Sequence, residues 1–342
     1  DISFESGFKG PRVLNSSLKR AFSGISGHLT LAIWTIMNSA ILSSIHRFAL
    51  DDGPGIRTTV FFKGCPLSCI WCHNPESISA KVQKGFKRER CIGCKMCVQS
   101  CEKGRSAPYP IQSSPPVNCT GCNFCVDNCP TSAVYSIGRK YSVDQLVEIL
   151  LRDRCLYTTS SGGVTFSGGE PGLQIPFIRK VCEELKKHKI DVAVQTSGHF
   201  NADHFLQNLG GLVDRIYFDL KLFDDEAHKI YTGVSNTRIF SNFEYFARSS
   251  CFELIASIPL IPEITATENN LYSLSSLLRV CRCTRFKLRG YVPGGTEKLP
   301  RPGLSLAAEL PQLAMSKTEL NHYNAMMHEF LETTVPSTAQ PG

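Results

Sequence analysis

No stretch of this chain is apolar for long enough to cross a membrane. The longest, Leu29 to Leu42, is broken by Thr30, Thr35, Asn38 and Ser39 and is shorter than the roughly 20 residues a spanning helix needs. Residues 1–36 are rich in Ser and Gly with a few basic residues, and they lack the cleavage pattern of a secretory signal. A transit peptide is the other reading such a segment allows, and Met37 is a candidate start for a chain that already holds every recognisable element. No clear catalytic triad or carboxylate dyad stands out, so acid–base chemistry by paired side chains is not advertised. With 42% hydrophobic and 20% charged residues, the composition is that of a soluble globular protein. Its 342 residues suffice for one large domain and a small one.

Cysteine, by contrast, is abundant: there are 16. Eleven fall in short-spaced groups between Cys65 and Cys129. In a chain of this size that pattern points to metal ligation in a reducing compartment, the cytoplasm, rather than to disulfides. Cys155, Cys182, Cys251, Cys281 and Cys283 are scattered and are expected to be small buried apolar residues. The first group, Cys65, Cys69 and Cys72, lies in Gly64-Cys-Pro-Leu-Ser-Cys-Ile-Trp-Cys-His-Asn-Pro75. It supplies three thiolates. An iron-sulfur cube has four irons to ligate, so one iron stays open to an outside ligand. An open position marks a catalytic metal site rather than a structural one.

The other eight form two runs, Cys91-x2-Cys94-x2-Cys97-x3-Cys101 and Cys119-x2-Cys122-x2-Cys125-x3-Cys129-Pro130. Four-cysteine zinc sites use overlapping spacings, but two full runs and Pro130 favour the pattern of bacterial two-cluster ferredoxins. In those proteins the fourth cysteine of each run crosses to the other cluster. Carried over, one cluster takes Cys91, Cys94, Cys97 and Cys129, and the other takes Cys119, Cys122, Cys125 and Cys101. Glu102 stands where a proline is common. The formal charge of +7 hints at nucleic acid. Eleven ligating thiolates and three oxidised cores of roughly +2 each bring it to about +2, so no nucleic-acid partner is expected, and no membrane.

Strand and helix patterns alternate around this insert. Strands are expected at Ile41–Arg47, Arg57–Phe62, Gly163–Phe166, Val192–Thr196, Ile216–Leu220 and Phe252–Leu260. Helices are expected at Val143–Leu151, capped by Ser142 with Gln145 closing a capping box, and at Ile175–His188, Asp224–Tyr231 and Asn269–Cys281. Short apolar strands alternating with helices imply a parallel sheet covered on both faces. Sites in such sheets gather at the carboxyl ends of strands. The Cys65 loop, Ser167-Gly-Gly-Glu170, Thr196 and Asp219-Leu-Lys221 all fall there.

In Ser167-Gly-Gly-Glu170 the glycines let backbone approach a ligand closely, and the Glu170 carboxylate can accept from a ligand ammonium. Alone such a tetrapeptide is usually a turn; after a strand and beside the Cys65 loop it is read as a site. Alternation puts Asp219 and Lys221 on one face. Lys221 can neutralise a ligand carboxylate, and Asp219 can hold a hydroxyl or a cation; a solvated strand end is the plainer account. Trp71 is placed to stack on an adenine, with core filling as the alternative.

Taken together these residues resemble the radical S-adenosylmethionine family, and within it the activating enzymes of glycyl radical enzymes. The resemblance is carried by Phe48 to Thr58, the Cys65 loop, the double cysteine insert, Tyr141-Ser-Val-Asp144, Leu151-Arg-Asp153 and Gly162 to Pro171. It continues through Asp219-Leu-Lys221, His228, Tyr231 to Asn236 and Ile258-Pro-Leu-Ile-Pro262. It covers residues 45–275. It implies an α/β fold, a partial β/α barrel of six units (41–80 and 141–300), with an inserted two-cluster ferredoxin-like domain (81–140). Around these lie an N-terminal extension (1–40), expected to be poorly ordered, and a C-terminal segment (301–342).

The resemblance implies three 4Fe-4S clusters and S-adenosylmethionine. The catalytic cluster would sit on Cys65, Cys69 and Cys72. The cofactor would be bound by Trp71, His73, Gly168, Gly169, Glu170, Thr196, Asp219, Leu220 and Lys221. It implies a glycyl radical enzyme as protein substrate and a flavodoxin or ferredoxin as electron donor. The chain departs from the family's pattern in four places. Gln195 stands where an acid is usual, and Ser257 where an arginine is usual. The strand Phe286–Pro293 lacks the family's histidine, and the ends lack a counterpart. Two other readings stay open at this point: a radical enzyme acting on a small molecule, and an iron-sulfur electron carrier without turnover.

Overall fold

The computed structural model describes residues 38–101, 122–294 and 310–332. The N-terminal extension as far as residue 37, Glu102, Cys119 and residues 301–309 and 333–342 of the C-terminal segment lie outside the described residues.

Ten strands are described: β1 Ser39–Ala49, β2 Arg57–Phe62, β3 Gln83–Phe86, β4 Val134–Ile137, β5 Arg139–Ser142, β6 Gly163–Gly168, β7 Asp191–Thr196, β8 Arg215–Asp219, β9 Glu253–Leu260 and β10 Phe286–Gly290. The helices are α1 Met96–Gln99, α2 Phe124–Asp127, α3 Val143–Leu151, α4 Arg154–Ser160, α5 Ile175–Lys187, α6 Ala202–Leu209, α7 Asp225–Thr232, α8 Thr237–Ala247, α9 Glu268–Val280 and α10 Lys317–Glu332. Every helix and strand expected from the sequence is present. Ser142 and Gln145 form the expected capping box at α3.

Eight strands form one sheet in the order β10-β9-β8-β7-β6-β2-β1-β5. The six from β10 to β2 are parallel; β1 and β5 extend the β2 edge in antiparallel fashion. Helix α10 packs on α9 and β10, so the described part of the C-terminal segment supplies the helix that follows the sixth parallel strand. The six parallel strands curl until the β10 end meets the loops that flank β2. At the amino end of β10, Lys287 Nζ donates to Asp51 O, in the loop before β2, at 2.8 Å. Past the carboxyl ends, His73 Nε2 lies 2.6 Å from Val292 O.

The two faces of the curl differ, and here the expectation of a sheet covered on both sides is corrected. Val164 and Phe166, Val192 and Val194, Ile216 and Phe218, and Ala256, Ile258 and Leu260 enter the core beneath the helices. Their neighbours point inward: Thr165 and Ser167, Asp191 and Gln195, Arg215, Tyr217 and Asp219, and Ser257, Lys287 and Arg289. Period-two alternation is therefore present in strands that read as continuously apolar. A partial barrel needs helices on one face only; its inner face is left to polar chemistry.

Four of the inward residues open their strands and close the amino end of the curl with charge. Arg57 pairs with Asp191 at 2.9 Å, Asp191 with Arg215 at 3.2 Å, and Arg215 with Glu253 at 3.7 Å. Arg57 is fully buried, and its Nε donates to Thr165 Oγ1 at 2.7 Å. A second correction concerns the scattered cysteines. Cys182 and Cys283 are buried as expected, but Cys155 and Cys251 are exposed. They sit on outer helix and turn surfaces, where a small side chain carries no burial requirement.

Candidate active site

The Cys65 loop leaves the carboxyl end of β2 and is clamped by backbone on both sides. The Gly64 and Cys65 amides donate to Ser77 O and Ile78 O at 2.7 and 3.0 Å; the Ser68 and Ile70 amides donate to Thr232 O and Tyr231 O at 2.8 and 3.1 Å. The Tyr231–Asn236 motif is thus the dock for the cysteine loop. Gly233, at φ +83°, has Ser68 Oγ 2.5 Å from where a Cβ would stand, so a side chain there would push the loop away.

The adjacent glycines of β6 serve the same packing. The Gly169 amide donates to Phe62 O at 2.8 Å and the Glu170 amide to Gly64 O at 2.7 Å. A Cβ on Gly168 would meet Phe62 N at 2.6 Å, and one on Gly169 would meet Gly64 O at 2.3 Å. Glycine is required here because two strand ends approach each other, whatever ligand lies beyond.

Glu170 is fully buried. Its Oε1 accepts from Thr196 Oγ1 at 2.7 Å and from the Gly172 amide at 2.8 Å; its Oε2 accepts from the Ser197 amide at 2.8 Å and Ser197 Oγ at 2.5 Å. Burial raises its pKa, and these donors, Ser197 foremost, pull the other way. Four donors fill the four lone-pair positions of a carboxylate. Glu170 therefore ties the end of β6 to the end of β7, and this geometry leaves no acceptor position on it for a ligand ammonium. Thr196 also accepts from the Gly198 amide at 2.9 Å.

On the other side, Lys221 Nζ bonds Asp219 Oδ2 at 2.9 Å. Leu220, between them, is fully buried, and its amide donates to Ser257 O at 2.9 Å. Burial alone would lower the Lys221 pKa; Asp219 and then the Cys69 thiol outweigh it and raise it. Burial pushes Cys69 up to about 12, and Cys65 also upward, with Glu170 adding to the latter. Sulfur ligands bind metal as thiolates. At these two desolvated positions, one half-buried and one buried, a strongly positive partner keeps thiolates in place, which fits a metal core with Lys221 as a nearby counter-charge. Among the described residues no three His, Cys, Asp or Glu side chains converge on a single ion position. A four-iron cube does not ask for that, because each iron takes its own ligand.

Trp71 lies in a small apolar cluster with Leu67, Ile70, Leu222 and Tyr291, its ring 6.1 Å from that of Tyr231. His73 is exposed and reaches across to Val292. The structure thus brings Cys65, Glu170 and Thr196 together, and likewise Cys69, Asp219 and Lys221. Four further inner-face contacts escaped the sequence because they depend on register. Gln195 Oε1 accepts from Ser167 Oγ at 2.7 Å, and its Nε2 donates to Asp52 Oδ1 at 3.1 Å. Asp52 Oδ2 accepts from Thr59 Oγ1 at 2.7 Å. An acid at 195 would face the Asp52 carboxylate; the amide bonds it. Arg289 Nε donates to Ser257 Oγ at 3.1 Å.

In the insert, β3 and β4 pair antiparallel and the one-turn helices α1 and α2 touch. Cys91, Cys94, Cys97 and Cys129 line one small pocket with Phe86 and Ala133. Burial would raise the Cys129 pKa, but the Val134 amide, 3.4 Å from Sγ, and its neighbours pull it down. These four cysteines are the crossed set that the two-cluster spacing implies. Cys101, Cys122 and Cys125 are described, but their fourth member, Cys119, is not. No helix of the described residues is long and apolar enough to cross a membrane.

Comparison with known proteins agrees with this geometry. A Radical SAM superfamily model matches residues 109–274, and a 4Fe-4S single cluster domain model matches residues 51–102. The isethionate sulfite-lyase activating enzyme of Oleidesulfovibrio alaskensis is 33% identical over 267 residues, covering 76% of this chain and 86% of that protein. The benzylsuccinate synthase activating enzyme of Thauera aromatica is 40% identical over 233 residues, covering 66% and 70%. The trans-4-hydroxy-L-proline dehydratase activating enzyme of Clostridioides difficile is 38% identical over 239 residues, covering 69% and 78%. These matches favour neither a small-molecule enzyme nor an inert electron carrier. With its cysteine loop docked at the carboxyl ends of a curled parallel sheet, the chain belongs to the radical S-adenosylmethionine family, among the activating enzymes that cleave S-adenosylmethionine and install a radical on a glycyl radical enzyme.

Proposed function

We propose that this activase works with three 4Fe-4S clusters. The catalytic one is held by Cys65, Cys69 and Cys72. A second is held by Cys91, Cys94, Cys97 and Cys129, and a third by Cys101, Cys119, Cys122 and Cys125. A cluster held there would supply the electron for reductive cleavage of S-adenosylmethionine, the chemistry from which hydrogen abstraction at a partner glycine follows.

The chain's own residues bind, orient and shield. The β2, β6, β7 and β8 ends hold the cofactor through Trp71, His73, Gly168, Gly169, Thr196, Asp219, Leu220 and Lys221. Glu170 acts by fixing the β6 and β7 ends relative to each other. Lys221 balances the thiolates. The observation that carries this reading is the meeting of half-buried Cys65 and buried Cys69 with Glu170–Thr196 on one side and Asp219–Lys221 on the other. The exposed insert is an electron entry, fed by a flavodoxin or ferredoxin in the cytoplasm. The relatives named above serve a lyase, a synthase and a dehydratase, and a partner of such a class is the protein substrate.

The test is anaerobic. Reconstituted protein given dithionite and S-adenosylmethionine releases 5′-deoxyadenosine without any other substrate. Adding a glycyl radical enzyme of the lyase, synthase or dehydratase class gives a glycyl radical signal in electron paramagnetic resonance. Deoxyadenosine without a radical on any such partner would move the reading to a small-molecule substrate.

A further inference from the structure

Among the described residues the inner face holds several cations, and all but one are answered by acid or by backbone. Arg57 and Arg215 share Asp191, and Arg215 also reaches Glu253. Lys221 is paired with Asp219 and feels the thiols of Cys69 and Cys65. Lys287 donates to the Asp51 carbonyl, with the carboxylates of Asp51 and Asp52 nearby. Arg289 differs. Among the described residues its guanidinium bonds one neutral hydroxyl, Ser257 Oγ, and lies 5.9 Å from the Tyr217 ring. No described carboxylate pairs with it.

Register places this guanidinium. Ser257 is the β9 partner of Asp219 and the β10 neighbour of Lys287. The tether to Ser257 therefore holds the charge at the level of Asp219, one strand along from it, at the thiol-bearing end of the curl. Position 257 is also where the family resemblance expects an arginine. Here the cation is not lost: it comes from the adjacent strand, and the serine hydroxyl accepts from it. A half-buried arginine without an acid partner needs an anionic guest, and its planar fork matches a carboxylate. S-adenosylmethionine carries one carboxylate beside an ammonium and a sulfonium, so the carboxylate is the one group of the guest that asks for a cation.

We infer that Arg289 binds the carboxylate of S-adenosylmethionine, a role that leaves Lys221 to the thiolates; the inference rests on the function proposed above. It is tested on the full chain with all clusters reconstituted, by anaerobic calorimetric titration. Arg289→Ala weakens S-adenosylmethionine binding about tenfold or more, with the cluster absorbance unchanged. Decarboxylated S-adenosylmethionine binds the wild type and Arg289→Ala alike. The double exchange Ser257→Arg with Arg289→Ser, which keeps the pair's composition, recovers most of the lost affinity, and it also serves if Arg289→Ala fails to load its clusters. Arg289→Ala binding the cofactor within about twofold of wild type overturns the assignment, as does an equal loss for the decarboxylated compound, or an exchange variant that loads its clusters and still binds weakly. A wild type that binds no S-adenosylmethionine strikes the proposed function itself, which separates the two failures.

Discussion

The two cysteine-bearing regions are held in opposite ways. The Cys65 loop is built by the fold: four backbone hydrogen bonds clamp it, Cys69 is buried, and its neighbours Leu67 and Ile70 are core residues. The insert is built around its cysteines. Cys91, Cys94 and Cys122 are exposed, its helices are one turn long, and Ile92, Met96 and Phe124 stand open to solvent. The described residues of this segment bury little apolar area, and on the function proposed above it draws its stability from bound metal. The difference teaches which part the barrel pre-organises and which part the metals must organise. On the function proposed above, chemistry sits in the first and electron entry in the second.

The largest expected effect breaks the first region. Replacing Cys65, Cys69 and Cys72 with alanine removes about four of about twelve irons and abolishes deoxyadenosine formation, while the insert clusters stay visible by their absorbance. Zinc in stoichiometric amount, or iron near four in the wild type, contradicts the three-cluster assignment.

The next effect is structural and lies at Glu170. Glu170→Ala strands four donors in a buried site and costs about 3 kcal/mol or more. The urea midpoint measures it. A change within about half a kcal/mol, the range of an exposed site, would show that Glu170 does not tie β6 to β7.

Metal removal sharpens the comparison. After iron chelation, amide hydrogens of residues 86–101 and 122–134 exchange rapidly, while those of β6, β7 and β8 keep their protection. Equal loss of protection in both regions would mean that the barrel, too, depends on metal.

A kinetic effect distinguishes relay from scaffold. Cys91→Ala with Cys119→Ala slows turnover driven by a protein reductant, and dithionite, being small, partly bypasses the loss. Equal failure with both reductants, the first cluster being intact, would make the insert structural.

The smallest effect belongs to the outer face. Arg179 and Glu183 pair at 2.9 Å on the exposed face of α5, and Arg179→Ala shifts stability by no more than about 0.5 kcal/mol.

Much of the frame was legible because it is local. Turn and cap chemistry marked the α3 capping box, and β-branched runs marked β2, β6 and β7. The polar inner face was legible too, in Val164-Thr165-Phe166-Ser167 and Ile216-Tyr217-Phe218-Asp219, but short strands with two apolar residues each pass for continuous runs. Helix α10 went unread because it is mostly polar. Its Leu320, Tyr323, Met327 and Phe330 recur at three- and four-residue steps and all pack on the core. What no sequence pattern carries is register. The Glu170–Ser197 tie, the Gln195–Asp52 bond and the Arg289–Ser257 contact join residues 27 to 143 positions apart, and only the order of strands brings them together.

The central claim is that cleavage belongs to the Cys65 loop at the strand ends and electron entry to the insert. The direct measurement is the 5′-deoxyadenosine formed from S-adenosylmethionine by three dithionite-reduced proteins: wild type, the Cys65/Cys69/Cys72 alanine variant and the Cys91/Cys119 alanine variant. The account predicts product from the first and third and none from the second. Product from the second, or none from the wild type with its clusters fully loaded, would contradict it.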